Sequence, residues 1–185
     1  LNMKKLFAII ASCALLSGGA WADGMNFGVA GVYGLDLEGP GIQLSYYQDG
    51  FYNPITQSAA KLGGDFTYFL PDEPPGASIT AFTVNVNLLT SFYNPESGDT
   101  DVYDKETESE LGMDIYAITG LNLTRTSVEV KAFGFKASAD SNDFNINIGA
   151  GLTMPMGFGD LFGEAKYVLG GASQLVVGVG VRFSR

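Results

Sequence analysis

The sequence predicts an all-β protein whose strands close into an antiparallel up-and-down barrel, and three observations support this. Apolar and polar residues alternate with a period of two in segments of about ten residues, separated by turn-forming residues. The chain has 25 glycines and 12% aromatic residues but only 16% charged residues. No sustained helical period appears after residue 23. A hydrophobic content of 46% also argues against disorder.

The alternating segments are, in chain order, 25–34, 41–49, 60–70, 77–92, 112–124, 127–137, 143–154, 160–169 and 173–183. One face is apolar where the alternation is clearest, and it carries Leu62, Phe66, Tyr68 and Leu70, then Phe82, Val84, Val86 and Leu88, then Phe144, Ile146, Ile148 and Leu152, then Leu161, Ala165, Tyr167 and Leu169, and finally Leu175, Val177, Val179, Val181 and Phe183. The opposite face carries small and polar residues, among them Gly63, Asp65, Thr67, Thr83, Asn85, Asn87, Asn145, Asn147, Glu164, Lys166, Gln174, Gly178 and Arg182.

Nine segments conflict with the even strand number of single-chain bacterial barrels. Either 112–137 is one long strand bent through Arg125 and Thr126, or 41–49 belongs to a long first loop. A third arrangement has ten strands and recruits part of 100–110. We predict eight strands and keep ten as the alternative.

Alternation alone does not say which face is inside the barrel, but three features favour a membrane-spanning barrel with polar residues inside. The polar faces are poor in lysine and glutamate and rich in glycine and asparagine, which suits a narrow interior. Glu164 and Lys166 share a face and can meet Arg182 of the next strand. Aromatic residues cluster toward the segment ends, as in an interfacial girdle; they are Tyr33, Tyr46, Tyr47, Phe69, Phe92, Tyr93, Tyr167 and Phe183.

This arrangement predicts a network of polar side chains in the lumen, made by Asp65, Asn85, Asn87, Asn145, Asn147, Glu164, Lys166 and Arg182. The inward carboxylates are expected to pair with Lys61, Lys166 and Arg182 rather than to act as acid and base. The chain has no histidine, which excludes Ser-His-Asp, Cys-His and histidine–metal chemistry. We therefore expect no catalytic residues, no cofactor and no metal site.

Residues 1–22 have the features of a signal peptide. Lys4 and Lys5 precede an apolar stretch at 6–16, and residues 20–22 form an A-x-A site that predicts cleavage after Ala22. The barrel domain is then 23–185. Residues 10–13 resemble a lipoprotein cleavage box at Cys13, an alternative that their short apolar core disfavours.

The net charge of −10 argues against nucleic-acid binding. Much of the acidic charge lies in 96–110, where a calcium loop starting at Asp99 would place Glu110 at position twelve. Position six is Asp104 instead of the required glycine, so the segment is interpreted as a solvated acidic loop. Loose cation bridging to lipopolysaccharide stays open.

Residues 145–152, 163–170 and 174–183 resemble strands of small Gram-negative outer-membrane β-barrels, as do 63–71 and 116–122. This porin-like, opacity-type family is similar to the membrane domain of outer membrane protein A. The resemblance implies an integral outer-membrane location and no shared catalytic residues. Phe183 is the possible assembly signal that such barrels usually carry as their last residue, although Ser184 and Arg185 follow it here.

The expected function is therefore structural or surface-related, with a lumen closed by polar side chains. The alternatives are a channel for small solutes or lipophilic molecules and a soluble periplasmic, lipocalin-like ligand-binding barrel. The expected partners are outer-membrane lipid and lipopolysaccharide, the barrel-assembly machinery and periplasmic chaperones. We expect a monomer that binds no nucleic acid.

Overall fold

Eight antiparallel strands form a closed barrel in which each strand pairs with its neighbours in sequence and β8 pairs with β1. The computed structural model describes residues 24–53, 56, 58–93, 112–132, 135–171 and 173–184; the predicted signal peptide and the acidic segment 96–110 lie outside them. The strands are β1 (Met25–Gly34), β2 (Gly39–Asn53), β3 (Ser58–Phe69), β4 (Ala77–Tyr93), β5 (Asp114–Ala132), β6 (Phe135–Met156), β7 (Gly159–Leu169) and β8 (Gln174–Ser184). The prediction of an eight-stranded barrel is confirmed.

The separate strand predicted at 127–137 is wrong, and this removes the ninth strand. Residues 127–132 continue β5, and 135–137 begin β6. Arg125 pairs with both Phe82 and Asn142, so the ladder runs unbroken through the position where a bend was expected. Neither Arg125 nor Thr126 is a turn-forming residue, whereas the chain reverses between Ala132 and Phe135. Segment 41–49, the other uncertain one, is the middle of β2.

The apolar face of each strand points outward, and the polar face points into the barrel. On β8, for example, Val179 is 64% exposed whereas Arg182 is 2% exposed. An apolar exterior suits lipid. Closure of the ring gives each strand a hydrogen-bonded neighbour on both sides within the barrel, as a bilayer requires. The interior is the opposite of the apolar cavity that a soluble ligand-binding barrel needs, so that alternative is not supported.

The aromatic residues at the segment ends do not all lie outside. Tyr33, Phe92 and Tyr167 are exposed on the exterior, as an interfacial girdle requires. Tyr47 and Phe69, however, are fully buried inside the barrel, so their assignment to the girdle is wrong. Each lies on the polar face of its strand, where a large side chain fills the narrow interior.

The barrel has two mouths. We call the end at which β1 begins the proximal mouth and the end at which β1 meets β2 the distal mouth. The acidic segment joins β4 to β5, whose adjacent ends lie at the proximal mouth.

A three-stranded sheet extends beyond the distal mouth. Strands β5 and β6 have 19 and 22 residues, about twice the 9–11 residues that span a membrane. Among the described residues, β7 pairs with β6 only from Ile146 onward. The remaining part of β6 pairs with β5, which pairs in turn with the start of β4. We call 77–80, 125–132 and 135–142 the projecting sheet.

One face of the projecting sheet carries an ion-pair cluster. Lys136 and Lys131 lie 2.7 and 3.0 Å from the two carboxylate oxygens of Glu129. Hydrogen bonds from Lys136, which has the larger effect, and from Lys131 hold the pKa of Glu129 below its usual value of 4.5. Because the pKa of Glu129 is lowered on folding, its ion pairs stabilise the folded state fully above about pH 4.5. This stabilisation is lost as the pH falls through the lower pKa of the folded state.

We expect this cluster to order the tip of the projecting sheet slightly at neutral pH and not in acid. Glu129→Gln is expected to speed amide hydrogen exchange at 135–138 modestly at pH 7, because exposed pairs contribute little. At a pH below the folded-state pKa of Glu129, wild type and variant should exchange alike. A difference that persists in acid would show that Glu129 acts through something other than its charge.

Candidate functional site in the barrel lumen

An ion pair crosses the middle of the lumen between opposite strands. Asp65 on β3 and Lys166 on β7 lie four strands apart in the ring of eight, yet Lys166 Nζ donates to Asp65 Oδ2 at 2.9 Å. Both side chains are almost fully buried. Lys166 Nζ also donates to Gln43 Oε1 on β2 at 3.0 Å. The pair therefore joins the two walls of the barrel through its centre.

Asparagine side chains donate hydrogen bonds to both carboxylate oxygens of Asp65. Asn85 Nδ2 donates to Asp65 Oδ1 at 2.6 Å, and Asn87 Nδ2 donates to Asp65 Oδ2 at 2.7 Å. Asn147 on β6 donates to the amide oxygens of both asparagines at 2.9 Å. Each hydrogen bond to the carboxylate is charge-assisted and so about twice as strong as a neutral one.

The asparagine network continues toward the distal mouth. Asn122 Nδ2 on β5 donates to Asn85 Oδ1 at 2.7 Å, and Asn145 Nδ2 donates to Asn122 Oδ1 at 3.2 Å. Thr124 Oγ1 donates to the same Asn122 oxygen at 2.8 Å. Side chains from β2, β3, β4, β5, β6 and β7 thus belong to one hydrogen-bonded network, which we call the central layer.

A second charged cluster lies beside the central layer on the proximal side. Arg182 Nη2 donates to Glu164 Oε1 at 3.1 Å, and the Tyr116 hydroxyl donates to the same oxygen at 2.9 Å. The guanidinium carbon lies 4.6, 5.1 and 5.7 Å from the ring centres of Phe162, Tyr47 and Tyr116. We call this the arginine cluster, in which aromatic rings take the place of water around a buried cation.

The two clusters are joined and balanced in charge. Lys166 Nζ lies 3.7 Å from Glu164 Oε2, and Asn87 Nδ2 donates to the Tyr47 hydroxyl at 3.1 Å. Two carboxylates therefore face two cations in the lumen. Because buried charges are tolerated only when paired and hydrogen-bonded, neither cluster is expected to survive loss of a single member without a large cost.

A small cavity borders the central layer on the distal side of the ion pair. Its volume is about 10 Å³, which admits roughly one water molecule. Gln174 lines it, and neither side-chain atom of Gln174 has a hydrogen-bond partner among the described residues.

Gly120 packs directly against the central layer, with no room for a side chain. A methyl group there would overlap the backbone oxygen of Val86 and the amide oxygen of Asn87, and it would lie 2.7 Å from Asn147 Oδ1. Gly120→Ala is therefore expected to lower the free energy of unfolding by about 1–3 kcal/mol, the usual cost of overpacking. The matched control is Gly31→Ala on the exterior, where a methyl group meets nothing within 4 Å. Equal stability of the two variants in urea titrations would contradict this packing.

The described residues contain no group of three or more histidine, cysteine, aspartate or glutamate side chains placed to hold a metal ion. In the same residues, no helix is long and apolar enough to span a membrane.

Comparison with solved structures identifies the fold. The chain is similar to the N-terminal β-barrel domain of OprF from Pseudomonas aeruginosa, with a TM-score of 0.56 and 13% identity over 88% of this chain and 98% of that one. Neisserial surface protein A matches with a TM-score of 0.52 and 13% identity, over 87% of this chain and 94% of that one. Ail of Yersinia pestis, in complex with the heparin analogue sucrose octasulfate, matches with a TM-score of 0.52 and 14% identity, over 88% of this chain and 100% of that one. The chain has the fold of the small outer-membrane β-barrels. No family model and no curated protein matches its sequence.

In this outer-membrane-type barrel, all eight residues of the predicted lumen network lie inside and are buried. Asp65, Asn85, Asn87, Asn145, Asn147 and Lys166 belong to the central layer, and Glu164 and Arg182 to the arginine cluster. Lys61, expected to pair with an inward carboxylate, instead lies 3.1 Å from Asp49 near the proximal mouth. Phe183 faces outward in the last strand and pairs with Phe27 of β1.

Six participants were missed from the sequence: Gln43, Tyr47, Tyr116, Asn122, Thr124 and Phe162. Tyr116 and Asn122 lie on the inward face of β5. The alternation in 112–124 would have placed both side chains on this face. Tyr47 was missed because it was placed in the aromatic girdle. Nothing in the sequence singles out Gln43, because its contact with Lys166 spans 123 residues.

Proposed function

We propose that this chain is an integral outer-membrane protein with a structural or surface role, whose barrel is closed to diffusion and has no catalytic activity. The observation that carries the proposal is the Asp65–Lys166 pair, which crosses the lumen within the central layer. An eight-stranded barrel is just wide enough for its own side chains. Here the side chains of the central layer bind one another from wall to wall across that interior.

The absence of catalysis is inferred from how the inward carboxylates are held. Asp65 accepts hydrogen bonds from two asparagines and a lysine, and Glu164 from a tyrosine and an arginine. Carboxylates engaged in this way bind neighbouring side chains rather than present their oxygens to a substrate. They suit a structural role, in which the lumen acts as a polar core.

We infer that the projecting sheet faces the cell exterior, because β1 begins and β8 ends at the proximal mouth. In a single-chain outer-membrane barrel with an even number of strands, both ends of the barrel lie on the same, periplasmic side. The acidic segment 96–110 then lies on the periplasmic side, where it cannot bridge cations to lipopolysaccharide. The expected partners of the apolar exterior are outer-membrane lipid and the lipid part of lipopolysaccharide. The barrel-assembly machinery would read the last strand, in which Phe183 points outward.

Fractionation tests the proposal. The protein should enter the detergent-extracted outer membrane and shift in mobility between unboiled and boiled samples on a detergent gel. External protease should cut intact cells within 133–134 and leave 96–110 protected. Recovery in the osmotic-shock fluid without a shift would contradict the membrane location, and cleavage only within 96–110 would reverse the orientation.

A further inference from the structure

The projecting sheet ends in an unpaired strand edge. Within the described residues, positions 135–145 of β6 pair with β5 on one side only, since β7 begins to pair at Ile146. An exposed row of backbone donors and acceptors of this length is a template for another strand. Charged side chains usually prevent such pairing, so their placement along β6 decides which strand can join.

Two opposite charges lie on the outer face of this edge. Lys136 and Asp140 are both exposed, and their spacing of four residues puts them on the same side of the strand. Glu129 is shared between Lys131 and Lys136, which leaves one positive charge in excess. Asp140 has no ion pair among the described residues. The edge therefore carries a separated positive and negative charge.

We propose that the free edge of β6 pairs antiparallel with the same edge of a second copy of this chain. A two-fold axis perpendicular to the sheet relates such copies, so outer-face residues must lie opposite outer-face residues. Centring the axis on Ser138 places Lys136 opposite Asp140 of the other copy, twice. Centring it on Lys136 or on Asp140 would place like charges opposite each other, which destabilises a sheet.

The same register suits the inner face. Ala137 lies opposite Ala139 of the other copy, and Phe135, which is 81% exposed, lies opposite Ser141. The small side chains allow close approach, and the apolar inner faces of the two projecting sheets become continuous. The paired region is 135–141 from each copy, which adds seven residue pairs to the ladder.

This pairing joins barrels in facing membranes rather than neighbours in one membrane. Antiparallel strands point the two barrels in opposite directions. Within one membrane, a two-fold axis along the membrane normal would make the strands parallel and set Lys136 against Lys136. From Ser138 to the distal mouth at Ile146 is eight residues in each copy, so the barrel rims would lie about 50 Å apart along the strands. The chain stays monomeric in its own membrane and adheres head to head.

The test rests on the proposed function. It uses the full chain reconstituted as single barrels in lipid nanodiscs. Cys13→Ala removes the one cysteine of the sequence. Wild-type discs are expected to pair in sedimentation and to appear face to face in electron micrographs. Lys136→Asp alone and Asp140→Lys alone should each weaken pairing about tenfold or more, because like charges then face each other. Mixing the two variants restores both opposite-charge contacts and should restore pairing.

A cysteine at the axis tests the register. Ser138→Cys should form a disulfide-linked dimer, because directly opposite residues have Cβ atoms about 5 Å apart. Asn142→Cys, on the same face, should not, since its two copies would lie about 27 Å apart along the strands. Discs that contain heat-modifiable barrel but never pair would overturn the self-pairing, as would single-charge variants that pair like wild type. Failure of the barrel to fold in the disc would instead overturn the proposed function.

Discussion

Lys166→Met is expected to lower the free energy of unfolding by about 3–5 kcal/mol, the usual cost of removing one partner from a buried ion pair. The substitution keeps most of the side-chain volume but leaves Asp65 without a cation in the centre of the lumen. The two asparagine hydrogen bonds remain, yet they do not neutralise the carboxylate. The folded fraction, read from the gel mobility shift across a urea series in lipid, measures the loss.

Two variants separate this effect from a general loss of charge. Lys61→Met removes a half-exposed pair with Asp49 and should cost at most about 1 kcal/mol. Adding Asp65→Leu to Lys166→Met should recover much of the stability, because the unpaired buried carboxylate is then gone. A double variant no more stable than Lys166→Met would mean that the unpaired carboxylate of Asp65 is not what destabilises Lys166→Met.

Arg182→Met is expected to cost about 3 kcal/mol or more, because it leaves Glu164 buried without its closest cation. The nearest remaining positive charge is Lys166, 3.7 Å from the other carboxylate oxygen. The substitution also removes the guanidinium from three aromatic rings, and a desolvated contact of this kind contributes about 2 kcal/mol. The midpoint temperature of the gel mobility shift should fall accordingly.

Two further variants separate the burial of Arg182 from its charge. Arg125→Met removes an exposed arginine from the projecting sheet and should change stability by less than about 0.5 kcal/mol. Combining Arg182→Met with Glu164→Gln removes the unpaired charge and keeps an oxygen for the Tyr116 hydroxyl, so stability should partly return. If Arg125→Met were as damaging as Arg182→Met, burial in the lumen would not be what makes Arg182 important.

The barrel could be predicted from the sequence because its two faces differ so strongly. Val177, Val179 and Val181 alternate with glycine and arginine, and this period of two is independent of what the strand pairs with. The strand count was harder, since a long strand and two short ones have the same period. Only the pairing of Arg125 with residues on both neighbouring strands distinguishes them.

The lumen network was predictable in its members but not in its connections. Alternation assigns Asp65 and Lys166 to the interior, whereas their contact depends on the two strands lying opposite each other in a closed ring of eight. Aromatic residues were the main source of error. Tyr47 looks like an interfacial residue by composition, and only its parity within β2 shows that it points inward beside Arg182.

The claim that the lumen is closed is tested most directly by conductance in a planar lipid bilayer. Barrel that is fully heat-modifiable, added at low concentration, should give no stable current steps if the central layer and the arginine cluster close the interior as proposed. Stable steps of uniform size from the folded protein would contradict the closed lumen and support the small-solute channel instead.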